Sequence, residues 1–314
     1  MSILFASQGF GANAWQPAIE AAAGDRPIAV DGIDAYDPET IRYALVWQPP
    51  RERLAALPNL EAIFNLGAGV DALLADPTLP DVPIVRIVDP NMTMRMTEWV
   101  VLQVLMHHRH ALGYLHQQQQ RDWRDLPQPP AAVVRVGIMG LGALGADAAS
   151  ALARLGFQVA GWSRTAKSDL EIETFVGAGA LDAFLGRTDI LVVLLPLTRD
   201  THGLLNRELF AKLAQDGALG GPFLINAGRG RLQVEADIVA ALDNGTLKGV
   251  SLDVFETEPL PAASPLWTRP DVIVTPHVAA DSSPDAICRN IFQQIAAYER
   301  GEGLKNVVDR GLGY

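Results

Sequence analysis

Three polar residues in the last third of the chain have the types needed to move a proton onto a carbonyl oxygen. Arg229 lies in Asn226-Ala227-Gly228-Arg229-Gly230, Glu258 in Asp253-Val254-Phe255-Glu256-Thr257-Glu258-Pro259, and His277 in Thr275-Pro276-His277-Val278-Ala279-Ala280. A histidinium is the natural general acid near neutral pH. A neighbouring carboxylate raises its pKa and orients its ring. An arginine can hold a carboxylate or polarise a carbonyl through charge-assisted hydrogen bonds. The set suits reduction of a 2-oxo acid, in which hydride reaches the carbonyl carbon while the oxygen takes up a proton.

A hydride donor needs a binding loop, and Gly140-Leu141-Gly142-Ala143-Leu144-Gly145 has the required form. Its first glycine permits a tight turn, the second lets a pyrophosphate approach the backbone, and the third allows close helix–strand packing. The helix that starts there offers unpaired amides to the anion. About 20 residues on, an NAD site would place a carboxylate on the ribose 2′-hydroxyl. The chain instead reads Gly161-Trp162-Ser163-Arg164-Thr165-Ala166-Lys167, with no carboxylate before Asp169. Arg164 and Lys167 are cations where a 2′-phosphate would sit, and Ser163 and Thr165 can donate hydrogen bonds to it. NADP(H) is favoured over NAD(H); a solvated basic loop is the plain alternative.

These residues need a scaffold that brings strand ends together, and the apolar runs supply one. Ile3–Phe5, Ile28–Val30, Ala44–Trp47, Ala62–Phe64 and Ile84–Val85 read as buried strands in the first third. From Val133 the alternation restarts, with strands expected at Val134–Met139, Val159–Ser163, Ile190–Leu195, Phe223–Asn226, Val250–Asp253 and Val272–Thr275. Continuous apolar strands separated by helical patterns indicate parallel sheets covered on both faces. The fold class expected is α/β, with two doubly wound parallel-sheet domains. One is a Rossmann dinucleotide-binding domain over residues 99–284. The other is a smaller, flavodoxin-like substrate domain over 1–98, completed by 285–314. The cleft is then expected between the domains, their closure excluding water. A long helix is expected over 98–116. Gln117–Gln120, Trp123, Pro127, Pro129 and Pro130 follow it as an exposed arm, since its prolines cannot continue a helix.

Composition removes other classes. The 314 residues carry 25 basic and 36 acidic side chains, a formal net charge of −11, which disfavours nucleic acid. The longest apolar run, Ile190 to Leu197, falls far short of a membrane span. The N-terminus shows no basic leader region, and a single cysteine, Cys288, suits a reducing compartment, so a cytoplasmic protein is expected. His107, His108 and His110 share a helix, but no nearby ligand completes a metal set, and no metal is expected. His202 reads as solvated, and Met92, Met94 and Met96 as packing. Neither Ser7 nor Ser282 sits in a nucleophile elbow. Trp47, just after a strand, suits a core or a substrate-wall role equally.

The chain resembles the D-isomer-specific 2-hydroxyacid dehydrogenases, and within them the glyoxylate- and hydroxypyruvate-reducing branch. The likeness runs from Tyr43–Trp47 through Leu66-Gly67-Ala68-Gly69-Val70-Asp71, the glycine loop, Trp162–Thr165, Leu195-Pro196-Leu197-Thr198, Asn226–Gly230, Asp253–Pro261 and Thr275–Ala280 to Val308–Tyr314. It implies NADPH-dependent reduction of a small 2-oxo acid to the D-2-hydroxy acid. Arg229 would orient the substrate, Glu258 partner the histidine, and His277 act as acid/base. Cofactor contacts are implied for Gly140, Gly142, Ala143, Leu144, Gly145, Ser163, Arg164, Thr165, Lys167, Leu195, Pro196, Leu197, Thr201, Ala227, Asp253 and His277. Substrate contacts are implied for Trp47, Leu66, Gly67, Ala68, Gly69, Arg229 and His277. The resemblance also implies a homodimer with the Trp123 arm as a contact. Two departures stand out: Gly228, which adds backbone freedom beside Arg229, and Asp281-Ser282-Ser283-Pro284, an acidic run after the histidine segment. A rival reading keeps the fold as a non-catalytic dinucleotide sensor or corepressor; another keeps the chemistry class with a different substrate.

Overall fold

The computed structural model describes residues 2–8, 12–167, 169–281 and 283–313. Ser282 and Tyr314 from the motifs above lie outside them. The chain forms two compact units, Met1–Met92 with Ser282–Tyr314, and Thr93–Asp281. The expected boundaries, 98/99 and 284/285, lie within the helices Pro90–His108 and Pro284–Glu299, as the division at Met92/Thr93 lies within the first of them.

The first unit holds five strands: β1 (Ser2–Ser7), β2 (Ile28–Val30), β3 (Ile41–Trp47), β4 (Ala62–Asn65) and β5 (Ile84–Val85). They pair in parallel in the order β2-β1-β3-β4-β5, a flavodoxin-like arrangement. Ile41, Ala44, Leu45, Val46, Ile63 and Phe64 are fully buried, as continuous apolar strands covered on both faces must be. The C-terminal segment belongs here. Helix Pro284–Glu299 packs on helix Ala12–Ala23, Arg26 pairs with Glu299 at 2.6 Å, and the Val308 amide donates to the Ile84 carbonyl at 2.8 Å.

The second unit holds β6 (Arg135–Met139), β7 (Gln158–Ser163), β8 (Glu173–Val176), β9 (Ile190–Val193), β10 (Phe223–Asn226), β11 (Gly249–Leu252) and β12 (Val272–Val274). All pair in parallel in the order β12-β11-β10-β9-β6-β7-β8, which is the Rossmann order extended by one strand. The six strands expected from apolar runs are present; β8 is additional. As an edge strand it is half exposed, and Glu173-Thr174-Phe175-Val176 carries no apolar run to reveal it.

The helix expected over 98–116 is instead two helices, Pro90–His108 and Ala111–Gln120. Pro90 opens the first, where its missing N–H has no intrahelical role. His110 breaks the run with φ +53°, a left-handed conformation that apolar spacing does not disclose. The arm after Gln120 turns back along these helices. Its Pro127 and Pro129 carbonyls meet His110 Nε2 at 2.7 Å and His108 Nε2 at 2.9 Å. Trp123 is fully exposed. His107 is buried against Ser251 Oγ at 2.8 Å, and burial pushes its pKa down to about 4. Among the described residues no helix is long and apolar enough to cross a membrane.

Candidate active site

The glycine loop leaves β6 and enters the helix Ala143–Arg154, each glycine for its own reason. Gly140 has φ +105°, and a Cβ there would lie 2.7 Å from the Leu194 carbonyl oxygen. A Cβ at Gly145 would collide with the Gly140 carbonyl. Gly142 is the helix N-cap, and a Cβ there would meet nothing within 4 Å. The cradle is therefore open where a pyrophosphate would approach, and no side chain caps the first-turn amides. Ala143 and Leu144 begin that helix.

Beyond β7, Arg164, Thr165 and Lys167 are exposed. Ser163 is buried, and its hydroxyl donates to the Thr165 carbonyl at 2.7 Å. This bond closes the turn that presents Arg164 and Thr165 to solvent. The segment after β9 is stapled by Thr201, whose Oγ1 donates to the Pro196 carbonyl at 2.7 Å and accepts from the Thr198 amide at 2.8 Å. Leu195 is buried and Leu197 half-buried there, while His202 is exposed. Ala227 is buried. Gly228 serves close approach, not backbone freedom: a Cβ there would lie 2.7 Å from the Leu195 carbonyl oxygen.

Parallel register assembles the polar residues. Asn226 pairs with Leu252 and Leu252 with Val274, so the segments carrying Arg229, Glu258 and His277 leave the carboxyl end of the sheet side by side. His277 Nδ1 donates to Glu258 Oε2 at 2.7 Å, and Glu258 Oε1 accepts from the Phe255 amide at 3.0 Å. The Glu258 hydrogen bond holds the His277 pKa above its ordinary value, against burial and the Arg229 charge. Burial pushes Glu258 upward, but its hydrogen bonds to His277 and the Phe255 amide, with the His277 and Arg229 charges, outweigh this and keep it low. The half-buried Arg229 donates from Nη1 to the Gly228 carbonyl at 2.7 Å.

His277 sits at φ +57°, a strained position for a side chain this size, and Asp253 maintains it. Asp253 is 1% exposed. Its Oδ1 accepts from Thr275 Oγ1 at 2.6 Å and the Val278 amide at 2.9 Å, its Oδ2 from the Ala279 amide at 2.9 Å, and its carbonyl from the His277 amide at 2.8 Å. These partners make Asp253 the brace of the histidine turn, a function its implied cofactor contact did not include. A carboxylate accepts about four hydrogen bonds, so three leave capacity for another donor. Asp281 is exposed.

In the first unit, Leu66 is buried and Gly67–Gly69 follow β4. The half-buried Trp47 ring lies directly over Gly67, where any Cβ would strike it. Buried Asn65 donates from Nδ2 to the Gly67 and Gly69 carbonyls at 2.8 and 2.9 Å, setting the loop's shape. Sequence reasoning assigned Asn65 no role. It also passed over Gln233, a fully buried amide on Asn226. No periodicity signals such residues; a polar side chain beside a strand end is the only trace.

Residues 101–279 match the family described as D-isomer specific 2-hydroxyacid dehydrogenase, NAD binding domain. Glyoxylate/hydroxypyruvate reductase A of Salmonella paratyphi B is 42% identical over 320 residues, covering all of both chains. The crystal structure of an NADPH-dependent glyoxylate/hydroxypyruvate reductase from Sinorhizobium meliloti, in complex with NADP and sulfate, is 48% identical with TM-score 0.95 and covers 100% of both chains. A probable 2-hydroxyacid dehydrogenase from Rhizobium etli, in complex with NADP, HEPES and L(+)-tartaric acid, is 49% identical with TM-score 0.94, covering 100% of this chain and 99% of that one. The chain belongs to the D-isomer specific 2-hydroxyacid dehydrogenase family.

Proposed function

We propose that this protein is an NADPH-dependent reductase of small 2-oxo acids such as glyoxylate or hydroxypyruvate, yielding the D-2-hydroxy acid. The observation that carries the reading is the 2.7 Å His277–Glu258 pair, which leaves the same end of the same parallel sheet as the open glycine cradle. The full-length likeness to reductases bound to NADP supports the cofactor and the substrate class.

When bound, the dinucleotide supplies the hydride. The amides at the start of helix Ala143–Arg154 receive its pyrophosphate, and Arg164, Thr165 and Lys167 its 2′-phosphate. The Leu195–Thr201 segment, Ala227 and Asp253 border the same ligand. Arg229 anchors the substrate by its carboxylate or carbonyl oxygen. In the first unit, the Leu66–Gly69 backbone and Trp47 are the residues assigned to substrate contact. His277, kept protonated by Glu258, delivers a proton from Nε2 to the oxygen as negative charge develops there. Glu258 fixes the ring by holding Nδ1 and stabilises its charge. The reading extends to a dinucleotide-binding role for the second unit and a substrate-binding role for the first. It also includes a homodimer using the arm around Trp123 and residence in the cytoplasm. Buried Cys288 has its thiol pushed up to about 12 by burial, which leaves it unreactive.

The test is steady-state NADPH oxidation with glyoxylate and hydroxypyruvate, in the wild type and in His277→Ala. The wild type should turn over both, with kcat lowered at least about 100-fold in the variant. Normal turnover in His277→Ala refutes the assignment of the acid. Tight NADPH binding without turnover on a broad 2-oxo acid panel refutes the reductase.

A further inference from the structure

The segments bearing Arg229 and Glu258 are joined from inside by two buried amides. Asn226 Oδ1 accepts from the Gly228 amide at 3.0 Å, while its Nδ2 donates to the Arg229 carbonyl at 3.2 Å and to Gln233 Oε1 at 2.8 Å. Gln233 Nε2 then donates to the Val254 carbonyl at 3.0 Å. Backbone groups at both ends have fixed sense, a carbonyl that only accepts and an amide that only donates. Flipping Asn226 would therefore lose three bonds and flipping Gln233 two, so neither side-chain amide can be turned over.

The Val254 carbonyl and the Phe255 N–H are the two faces of one peptide group, and that N–H donates to Glu258 Oε1 at 3.0 Å. An unbroken series of hydrogen bonds thus runs from the Arg229 backbone through Asn226, Gln233 and a single rigid peptide to Glu258 and His277. We propose that Gln233 is a positioning residue that couples the placement of Arg229 to that of the Glu258–His277 pair through the Val254–Phe255 peptide. The proposal rests on the assignment of His277 as the acid. Gln233 itself, 2% exposed, has no path to substrate and acts only through its neighbours. In such a series each bond polarises the next, and the peptide plane is held from both sides. The same two segments are also linked from outside by a reciprocal pair. The Glu235 amide donates to Glu256 Oε1 at 2.6 Å and the Glu256 amide to Glu235 Oε1 at 2.7 Å. That link fastens the loops without reaching Glu258, and it provides a control.

The experiment measures the pH dependence of kcat/KM for glyoxylate reduction at saturating NADPH in the wild type, Gln233→Met, Gln233→Glu and Glu256→Ala. In Gln233→Met the Val254 carbonyl loses its donor and the peptide loosens, so Glu258 holds His277 less firmly. The expected result is a fall in kcat/KM on the order of tenfold, with the basic limb moved to lower pH and NADPH affinity unchanged. Glu256→Ala is expected to lower the melting temperature without moving that limb. Gln233→Glu can donate to Val254 only while protonated, so its defect is expected to grow as pH rises; this carries the test if the methionine variant does not fold. An unmoved limb in Gln233→Met, or a pH-independent defect in Gln233→Glu, overturns the coupling alone. A wild-type profile whose basic limb survives in His277→Ala overturns the assignment of the acid, and the coupling with it.

Discussion

Replacing Asp253 by asparagine removes one charge from the middle of the site while nearly preserving shape. The carboxylate takes two bonds on Oδ1 and one on Oδ2, all from donors in Thr275–Ala279. Asparagine can keep the two on its oxygen but turns an N–H₂ toward the Ala279 amide. One charge-assisted bond is lost, worth ~1.5–3 kcal/mol, and a buried donor is left unpaired at ~1–3 kcal/mol. The combined cost is about 2–4 kcal/mol, since the two terms overlap. For a unit of this size that is a melting-temperature drop of roughly 5–15 °C. The turn it braces holds His277 at φ +57°, a conformation costing ~1–3 kcal/mol that relaxes once unsupported. A ring displaced by about 1 Å costs on the order of 100-fold in kcat. The pH profile must move as well. The Glu258 hydrogen bond chiefly raises the His277 pKa and the Asp253 charge adds to it, so neutralising Asp253 shifts the basic limb to lower pH. Steady-state kinetics with glyoxylate across pH, with thermal melts on the same samples, provide the assay. If Asp253→Asn keeps the wild-type kcat and basic limb and only raises the KM for NADPH, the brace argument is wrong and Asp253 acts on the dinucleotide alone.

Two further outcomes follow from other residues. Arg164→Asp should raise the KM for NADPH roughly 10–100-fold more than that for NADH, the equivalent of one charge-assisted bond; equal effects on both cofactors would remove the 2′-phosphate assignment. His107, buried with its pKa at about 4 against an ordinary 6.5, takes a proton more readily unfolded than folded. Its contribution is complete above pH 6.5 and is lost as pH falls from there toward 4, about 3 kcal/mol in all. Urea unfolding midpoints should therefore fall over that window in the wild type and less steeply in His107→Asn, and parallel slopes would contradict the burial argument.

Much of this could be read without a structure because its signals are local. A parallel strand covered on both faces must be apolar along its length, so β3, β9 and β10 announce themselves. Gly140, Gly142 and Gly145 follow from the steric needs of one short turn, and the polar residues beyond β10, β11 and β12 stand where such sheets expose chemistry. Edge strand β8 escaped because half-exposed residues carry no apolar run, and the break at His110 because a left-handed residue need not interrupt helical spacing.

The residue types alone thus fixed the layered parallel architecture, and they singled out the glycine turn and the Arg229, Glu258 and His277 side chains on which the proposed chemistry rests. The tertiary structure decided what holds those side chains in place. Asp253 reaches 22 to 26 positions ahead to Thr275, Val278 and Ala279, and Gln233 reaches 21 positions ahead to Val254. It also reassigned Gly228 from flexibility to close contact with Leu195, and it showed the Ser163 hydroxyl bonded to the Thr165 carbonyl. The physical reason is the range of the forces. Backbone sterics and hydrophobic periodicity act between near neighbours in the chain, whereas a buried polar group is satisfied by whichever donor the packed fold delivers to it.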